Sequence, residues 1–409
     1  MAVIYFGIPS EEKIINNIDR WAGISGAPDI FSEKISNLEK FQTKFLGKYD
    51  VVSIDEALER YPDAVVWVTF AKADITAKML LTKMPPEKIR FFEAELEYRK
   101  GCEYLGRFIN YRKESFSPCN MIGEGPVIRT AGGVRQRIEE WRDYTEKLIE
   151  DIRRERISDC ENCPMLEYGF WNKNVGLKEI CFGSLQQGDI CNFSCLYCFC
   201  EFSYKQLKKI GGGYTTYEIL KELSEMPEYD NEEFIVRLSN GEICANKDFD
   251  RIIGILAGTK WKIDLSSNFS VYNEKLAEIM ESGRMIRAEM SLDAGTKETF
   301  RRIKRSDSFE DVVENIRKYP THETDFYIKY IFLDGVNDNE TDVDGYYEIV
   351  REAEGIVTFS SNINAPYTEK MLELCYRIID KAVEDDIEVD TSSIYLNRED
   401  KEFIDERYF

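Results

Sequence analysis

The chain has 409 residues and a formal net charge of −22. This charge disfavours binding to nucleic acid or to anionic membranes, because both require a basic surface. The opening apolar run is too short for a membrane span and has no basic leader, so we expect a cytoplasmic protein. Eleven cysteines then predict metal and thiol chemistry rather than disulfides. The single histidine, His322, excludes His-rich metal sites and lies in a predicted exposed turn before a strand.

Residues 1–100 alternate between strand-like and helix-like segments, which predicts a small parallel α/β domain covered on both faces. The layout is similar to Rossmann-like modules of sugar- and envelope-biosynthesis proteins. The turn at residues 7–10 lacks the G-x-G-x-x-G pattern, so we expect a docking or substrate-positioning domain without a dinucleotide. Strands are predicted at Val3–Phe6, Asp50–Ile54, Ala64–Phe70 and Ile89–Phe92, and helices at Glu11–Trp21, Ile54–Tyr61 and Ala73–Lys83.

Residues 101–177 are predicted to be a connecting region that contains one long amphipathic helix, Val134–Arg156. Cys160 and Cys163 follow it as a C-x2-C pair, and Cys102 and Cys119 lie in the same region. Thiolates at this spacing suit either zinc or an iron–sulfur cluster, and ordinary thiols are the remaining alternative.

From residue 178 to 365 a second alternation of strands and helices begins, with six predicted strands. Strands that alternate with helices can form a β/α barrel, and such barrels place their catalytic residues at the carboxyl ends of the strands. A C-terminal helix and tail are predicted at residues 366–409. The six strands are predicted at Ser184–Ile190, Phe234–Leu238, Lys262–Leu265, Ile286–Leu292, Phe326–Phe332 and Ile356–Phe359. Helices are predicted from Thr216 to Leu223, at Asn273–Ser282 and at Phe309–Lys318.

The first of these strands leads into three cysteines, Cys191, Cys195 and Cys198, spaced C-x3-C-x2-C. Three thiolates at this spacing can hold three irons of a cubane 4Fe–4S cluster and leave the fourth iron open. A zinc site is the alternative, with Cys200 as its fourth ligand. The single residue between Cys198 and Cys200 is awkward for tetrahedral geometry.

At this spacing the chain resembles the radical S-adenosylmethionine (radical SAM) superfamily, and the resemblance extends over residues 181–365. It implies a partial (β/α)6 barrel, and an open iron that chelates the methionine moiety of S-adenosylmethionine. One electron from the cluster then releases a 5′-deoxyadenosyl radical.

The strand ends resemble the motifs with which this superfamily binds the cofactor, although each match alone is ordinary turn chemistry. The segment from Ser239 to Glu242 resembles a Gly-Gly-Glu motif that receives the methionine amino group, with Asn240 in place of the first glycine. The resemblance implies cofactor contacts for Tyr197, Ser239, Asn240, Gly241, Glu242, Ser267, Asn268, Ser291, Asp293 and Lys329.

Radical enzymes of this sort often carry a second cluster, and we therefore predict one held by Cys160, Cys163, Cys119 and Cys102. Cys200 or Cys181 could replace Cys102 as the fourth ligand. A zinc site or plain thiols remain the alternatives for these four residues.

The predicted function is a radical SAM enzyme that abstracts hydrogen from a carbon of a small-molecule substrate, with a preference for a carbohydrate or nucleotide-linked metabolite. A reductant such as ferredoxin or flavodoxin is expected as partner. Corrin-dependent methylation is disfavoured, because the N-terminal region contains no histidine for corrin binding. The rival hypothesis is an electron-transfer or interaction protein with a closed zinc or iron–sulfur site.

Overall fold

The computed structural model describes residues 2–7, 11–33, 44–45, 48–69, 73–92, 94–112, 115–119, 132–156, 158–182, 191–198, 214–239, 241–361 and 367–391. The chain divides into two compact units. Unit 1 contains residues 1–107 and 142–176, and unit 2 contains residues 108–141 and 177–409. The boundaries predicted at residues 100, 177 and 365 stay a prediction.

Unit 1 contains a sheet with the strand order β3-β4-β2-β1-β5-β6, in which only the β3–β4 pair is antiparallel. Alternate residues of β1 enter different cores: Ile4 and Phe6 pack in one, and Tyr5 packs with Trp21 in the other. Both faces of the sheet are therefore covered, as the continuous apolar strands predicted. The strands are β1 Val3–Phe6, β2 Ile30–Glu33, β3 Lys44–Phe45, β4 Tyr49–Ser53, β5 Val65–Val68 and β6 Ile89–Phe91.

The helices of unit 1 agree with the predicted ones to within four residues at each end. They are α1 Glu11–Ser25, α2 Ile54–Arg60 and α3 Ala73–Leu81. Helix α4, Val134–Arg153, begins in the residues of unit 2 and ends in those of unit 1, and it corresponds to the predicted amphipathic helix. Strands β2 and β3 were not predicted, since neither shows a long apolar run.

The region between the two predicted domains contains more strands than the sequence indicated. Strand β7 (Leu96–Gly101) pairs antiparallel with β10 (Glu167–Asn172) in unit 1. Strands β8 (Phe108–Arg112) and β9 (Ser115–Ser117) instead join the sheet of unit 2. The many charged and polar residues in these segments hide the apolar alternation by which strands are recognised.

Unit 2 contains a second sheet with the order β17-β16-β15-β14-β13-β12-β11-β8-β9, parallel throughout except for the β8–β9 pair. Consecutive strands β11 to β16 are neighbours in it, and the predicted α/β fold class, a partial barrel preceded by a small parallel α/β domain, is confirmed. The strands are β11 Glu179–Phe182, β12 Ile235–Leu238, β13 Lys262–Ser266, β14 Met285–Ser291, β15 Phe326–Phe332, β16 Ile356–Ser361 and β17 Val389–Asp390.

Strand β11 ends at Phe182, and the strand predicted at residues 184–190 lies outside the described residues. The other five predicted strands are found with ends shifted by two residues or fewer. The helices of unit 2 are α5 Thr216–Ser224, α6 Phe249–Gly258, α7 Glu274–Glu281, α8 Lys297–Lys304, α9 Phe309–Lys318, α10 Glu340–Glu352 and α11 Glu369–Glu384.

Local sequence explains where several of these elements begin. Thr215 accepts a hydrogen bond from the Glu218 amide at 3.2 Å, and the Glu218 carboxylate accepts one from the Thr215 amide at 2.7 Å. This capping box fixes the start of α5. His322 is exposed in a turn before β15, as predicted.

The two faces of the second sheet differ in polarity. On one face Val236, Leu238 and Ile263 are buried. On the other face Arg237 pairs in register with Asp264, and Asp264 with Arg287. Because side chains alternate along a strand, this polar set forms one continuous face.

Candidate functional site

The three predicted cluster ligands lie in the loop Cys191–Cys198. Residues 183–190, between β11 and this loop, lie outside the described part of the chain. All three thiols are half-buried. The Cys198 amide donates to the Cys195 carbonyl at 3.1 Å, and the Phe193 amide donates to the Cys191 sulfur at 3.4 Å. Burial raises the pKa of Cys191 to about 11, and the neighbouring Glu242 and the other two thiols add to the shift. A bound cation would reverse this effect and favour the thiolates.

Within the described residues, which include the three loop cysteines, no three Cys, His, Asp or Glu side chains converge on a point that could hold a metal ion. The fit to a 4Fe–4S cluster therefore rests on the donor set: three thiols at the right spacing, half-buried, on one loop. These residues suit the cluster, and Cys200 lies outside the described residues.

The Glu242 corner brings together three predicted residues from two strand ends. Glu242 is 2% exposed, and its Oε1 accepts hydrogen bonds from the Ser267 hydroxyl at 2.7 Å and the Cys244 amide at 3.1 Å. Its Oε2 accepts a hydrogen bond from the Asn268 amide. Gly241, just before it, has φ +44°, a conformation that favours glycine. We call Glu242, Ser267 and Asn268 the Glu242 corner.

The Glu242 corner is tied to the cysteine loop by side-chain amides. Asn268 donates from Nδ2 to Asn192 Oδ1 at 2.8 Å, and Asn192 donates from its own Nδ2 to the Ser270 hydroxyl at 2.8 Å. Asn192 stands directly after Cys191, so the end of β13 and the first cysteine are held in one hydrogen-bonded network.

The Asp293 corner lies at the end of β14 and has a different composition. The Asp293 carboxylate is fully buried, and its Oδ1 accepts from the Ile331 amide at 2.8 Å. Its Oδ2 accepts from the Lys304 ammonium and from the Tyr197 hydroxyl. Burial and the neighbouring Asp293 raise the pKa of Tyr197 well above its usual value, so this hydroxyl stays protonated and donates. Lys304 also donates to the Tyr197 oxygen at 2.7 Å. We call Asp293, Lys304 and Tyr197 the Asp293 corner.

Sequence reasoning missed Lys304. It is the last residue of α8 and follows two arginines in that helix, a pattern that usually marks a solvated helix end. No sequence signal shows that its side chain is only 3% exposed and paired with a carboxylate. Cys244 was also missed; it lies in the short helix Ile243–Ala245, where its sulfur is 3.6 Å from the Ser270 hydroxyl.

The remaining predicted contacts lie at the same end of the sheet. The Ser239 hydroxyl donates to the Phe182 carbonyl at 3.3 Å, and Ser291 pairs in register with Lys329. The Lys329 ammonium contacts the Glu289 carboxylate. Asn240 lies outside the described residues. The cofactor contacts of all these residues stay predictions.

A row of charges continues from this edge across the polar face of the sheet. Arg237 donates to Glu179 and to Asp264, and Arg287 donates to Glu289. The Arg237 and Arg287 side chains are 37% and 34% exposed, whereas their carboxylate partners are 7–13% exposed. The positive ends are therefore the accessible part of this row.

The cysteines proposed for a second cluster lie in both units. Cys160 and Cys163 form one turn of unit 1, in which the Cys163 amide donates to the Cys160 carbonyl at 3.1 Å. Cys102 also belongs to unit 1, and Cys119 belongs to unit 2. Cys181 is a buried residue of β11. The second cluster stays a prediction.

Across the described ranges, no helix has the length and apolar character needed to cross a membrane.

Comparison with known proteins matches residues 186–344 to the radical SAM superfamily. Two GTP 3′,8-cyclases, from Campylobacter fetus subsp. fetus and Aliarcobacter butzleri, are each 28% identical to this chain over 153 residues. The match covers 37% of this chain and 46% of either relative, so the chain spans under half the length of these curated relatives.

Solved structures give weaker matches. Streptococcus suis SuiB bound to S-adenosylmethionine has 12% identity and a TM-score of 0.39, covering 66% of this chain and 54% of that one. A radical SAM methyltransferase from Sphaerobacter thermophilus has 15% identity and a TM-score of 0.36, covering 55% and 67%.

Proposed function

Since the chain belongs to the radical SAM superfamily through its domain at residues 186–344, we propose that it cleaves S-adenosylmethionine reductively and abstracts hydrogen from a carbon of its substrate. The observation that carries this proposal is the placement of the C-x3-C-x2-C loop beside the Glu242 corner. The Asn268–Asn192 hydrogen bond joins the two directly.

Cys191, Cys195 and Cys198 would hold three irons of the cluster as thiolates. The cluster and S-adenosylmethionine, when bound, supply one electron and a carbon radical that abstracts hydrogen. The protein residues around them bind and orient the cofactor and exclude water.

Glu242 is suited to bind the ammonium group of the cofactor. A carboxylate oxygen accepts about two hydrogen bonds. In the described structure Oε1 accepts two and Oε2 accepts one, so Oε2 can accept another. The three donors also fix the direction of the carboxylate, which lowers the entropic penalty of binding.

Asp293 is suited to stabilise the site through contacts with other protein groups rather than by binding the cofactor directly. It is fully buried and already accepts bonds from Lys304, Tyr197 and the Ile331 amide. The contact predicted between Asp293 and the cofactor stays a prediction. Ser291, two residues earlier, is half-buried and better placed for a direct contact.

For the substrate we propose a polar, carbohydrate or nucleotide-linked small molecule. The support is the polar face of the second sheet with the accessible Arg237 and Arg287 side chains. The matched relatives are named for a reaction of GTP, which makes nucleotides the first class to test. We also propose a cytoplasmic one-electron donor such as ferredoxin or flavodoxin.

The test is anaerobic reconstitution with iron and sulfide, followed by dithionite and S-adenosylmethionine, with 5′-deoxyadenosine as the measured product. We expect the wild-type chain to form it and Cys195→Ala to form none, because two thiolates cannot hold the open-iron cluster. Cys375→Ala is the matched control, since Cys375 is buried in α11. Deoxyadenosine from Cys195→Ala at the wild-type rate would contradict the proposal. A wild-type chain that binds iron but cleaves no cofactor would favour the electron-transfer alternative.

A further inference from the structure

The cysteine loop lies against the C-terminal end of α8. The Ser194 amide donates to the Lys304 carbonyl at 3.1 Å, and the Leu196 amide donates to the Ile303 carbonyl at 2.9 Å. These two bonds lie on either side of Cys195. The ring of Phe193 packs edge-on against Phe300 of the same helix, with centroids 5.8 Å apart.

The last residue of the same helix, Lys304, places a positive charge next to the cysteine loop. The Lys304 side chain is 3% exposed, and its ammonium contacts the fully buried carboxylate of Asp293. Tyr197, the residue before Cys198, bonds to both partners through its hydroxyl. Removal of one partner of a buried ion pair strongly destabilises the protein, because the other charge stays buried without compensation. The fold in which Lys304 and Asp293 are paired is favoured accordingly.

Asp293 extends this arrangement to the sheet. It has φ +60°, an uncommon conformation for a residue other than glycine. Its backbone carbonyl accepts a hydrogen bond from Asn337 at 2.8 Å, and Asn337 also bonds to the Ile331 carbonyl at 2.8 Å. Two strand ends, one helix end and the cysteine loop therefore meet at a single ion pair.

We propose that Lys304 is a positioning residue for the cysteine loop and that its buried positive charge raises the reduction potential of the cluster bound there. This inference rests on the proposed function, because it requires that the loop bind a cluster. The sign follows from electrostatics: the reduced cluster carries one more negative charge, which the Lys304 ammonium stabilises. Removal of that ammonium also leaves the Asp293 carboxylate without its counter-charge, so the local charge becomes more negative and reduction becomes less favourable. Net charge and hydrogen bonds around a cluster are recognised determinants of its potential.

The experiment is a potentiometric titration of the reconstituted full chain, followed by the EPR signal of the reduced cluster. In Lys304→Met we expect the ratio of reduced to oxidised cluster, at the wild-type midpoint potential, to fall about tenfold, equivalent to 59 mV for a one-electron couple. Lys297→Met is the matched control; Lys297 lies in the first turn of the same helix with a 56% exposed side chain, and we expect no shift. An unchanged potential in Lys304→Met would overturn the proposal.

A second variant keeps the proposal testable if Lys304→Met does not fold. Tyr197→Phe leaves both charges in place and removes the hydroxyl that joins the loop to them. We expect iron release to a chelator to accelerate about threefold or more, as for the loss of one hydrogen bond, while circular dichroism stays unchanged. Wild-type release would overturn the positioning role. A wild-type chain that gives no reduced-cluster signal would count against the proposed function itself, which separates the two failures.

Discussion

The two corners at the end of the second sheet each contain a buried carboxylate, but the groups that contact the two carboxylates differ in charge. In the part of the chain that the structure describes, Glu242 accepts bonds from one hydroxyl and two amides, and no ion pair involves it. Asp293 is instead neutralised by the Lys304 ammonium. The Glu242 carboxylate is therefore contacted by neutral donors only among the described residues, which suits the proposed contact with a cationic group, whereas the Asp293 carboxylate is already paired with a cation of the protein.

Removing the charge of Asp293 should have the largest effect on stability. Asp293→Asn leaves the Lys304 ammonium buried without its counter-charge, and we expect a loss of about 3–5 kcal/mol in the free energy of unfolding. Urea unfolding monitored by fluorescence measures it. Asp307→Asn serves as control, because Asp307 pairs with Arg301 at the surface with both side chains about 70% exposed, and its loss should stay under about 1 kcal/mol. Equal losses in the two variants would show that the buried Asp293–Lys304 pair contributes no more to stability than a surface pair.

Removing the charge of Glu242 should affect the cofactor more than the fold. Glu242→Gln keeps the shape but loses a charge-assisted hydrogen bond to the ammonium, worth about 1.5–3 kcal/mol. We expect the affinity for S-adenosylmethionine to fall at least about tenfold, measured by calorimetry, with iron content retained. Unchanged cofactor affinity would assign Glu242 to the substrate instead.

Ser267→Ala should give a smaller version of the same effect. It removes one donor to Glu242 Oε1, and the carboxylate becomes less firmly oriented. The loss of one such bond is about 1 kcal/mol, so we expect cofactor affinity to fall roughly fivefold. Ser224→Ala is the control, since the Ser224 hydroxyl donates to the Lys221 carbonyl within α5, away from the Glu242 corner. A decrease in affinity as large as that of Glu242→Gln would show a direct contact by Ser267.

Asp344 provides a surface counterpart to Asp293, and its effect should be the smallest. Arg377 and Lys381 lower the pKa of Asp344 to about 2. A depressed pKa contributes stability above the ordinary value near 3.8, and this contribution is lost as the pH falls from about 4 to about 2. The side chain is 35% exposed, so we expect under about 1 kcal/mol.

The check compares the unfolding free energies of wild type and Asp344→Asn over this pH range. The difference between them should shrink as the pH falls. A difference that does not change with pH would exclude an electrostatic contribution from Asp344.

The sequence by itself determined the elements and residues whose signals are local. The C-x3-C-x2-C spacing identified the loop, because its three cysteines lie within eight residues of one another. Buried parallel strands such as Phe326–Phe332 could be recognised from their continuous apolar runs. Glu242 and Asp293 could be singled out because the segments around them resemble cofactor-binding motifs of the superfamily, in the expected order after the cysteine loop.

Tertiary structure alone decided which of these carboxylates is neutralised. Lys304 lies 11 residues after Asp293 and 106 after Cys198, and it looks in sequence like any basic helix end. Folding brings it next to the loop, where the Ser194 and Leu196 amides donate hydrogen bonds to the last carbonyls of α8. The contact of Asn268 with Asn192 likewise joins residues 76 positions apart. Burial changes the strength of such pairs, and burial depends on contacts between distant segments that no local pattern reports.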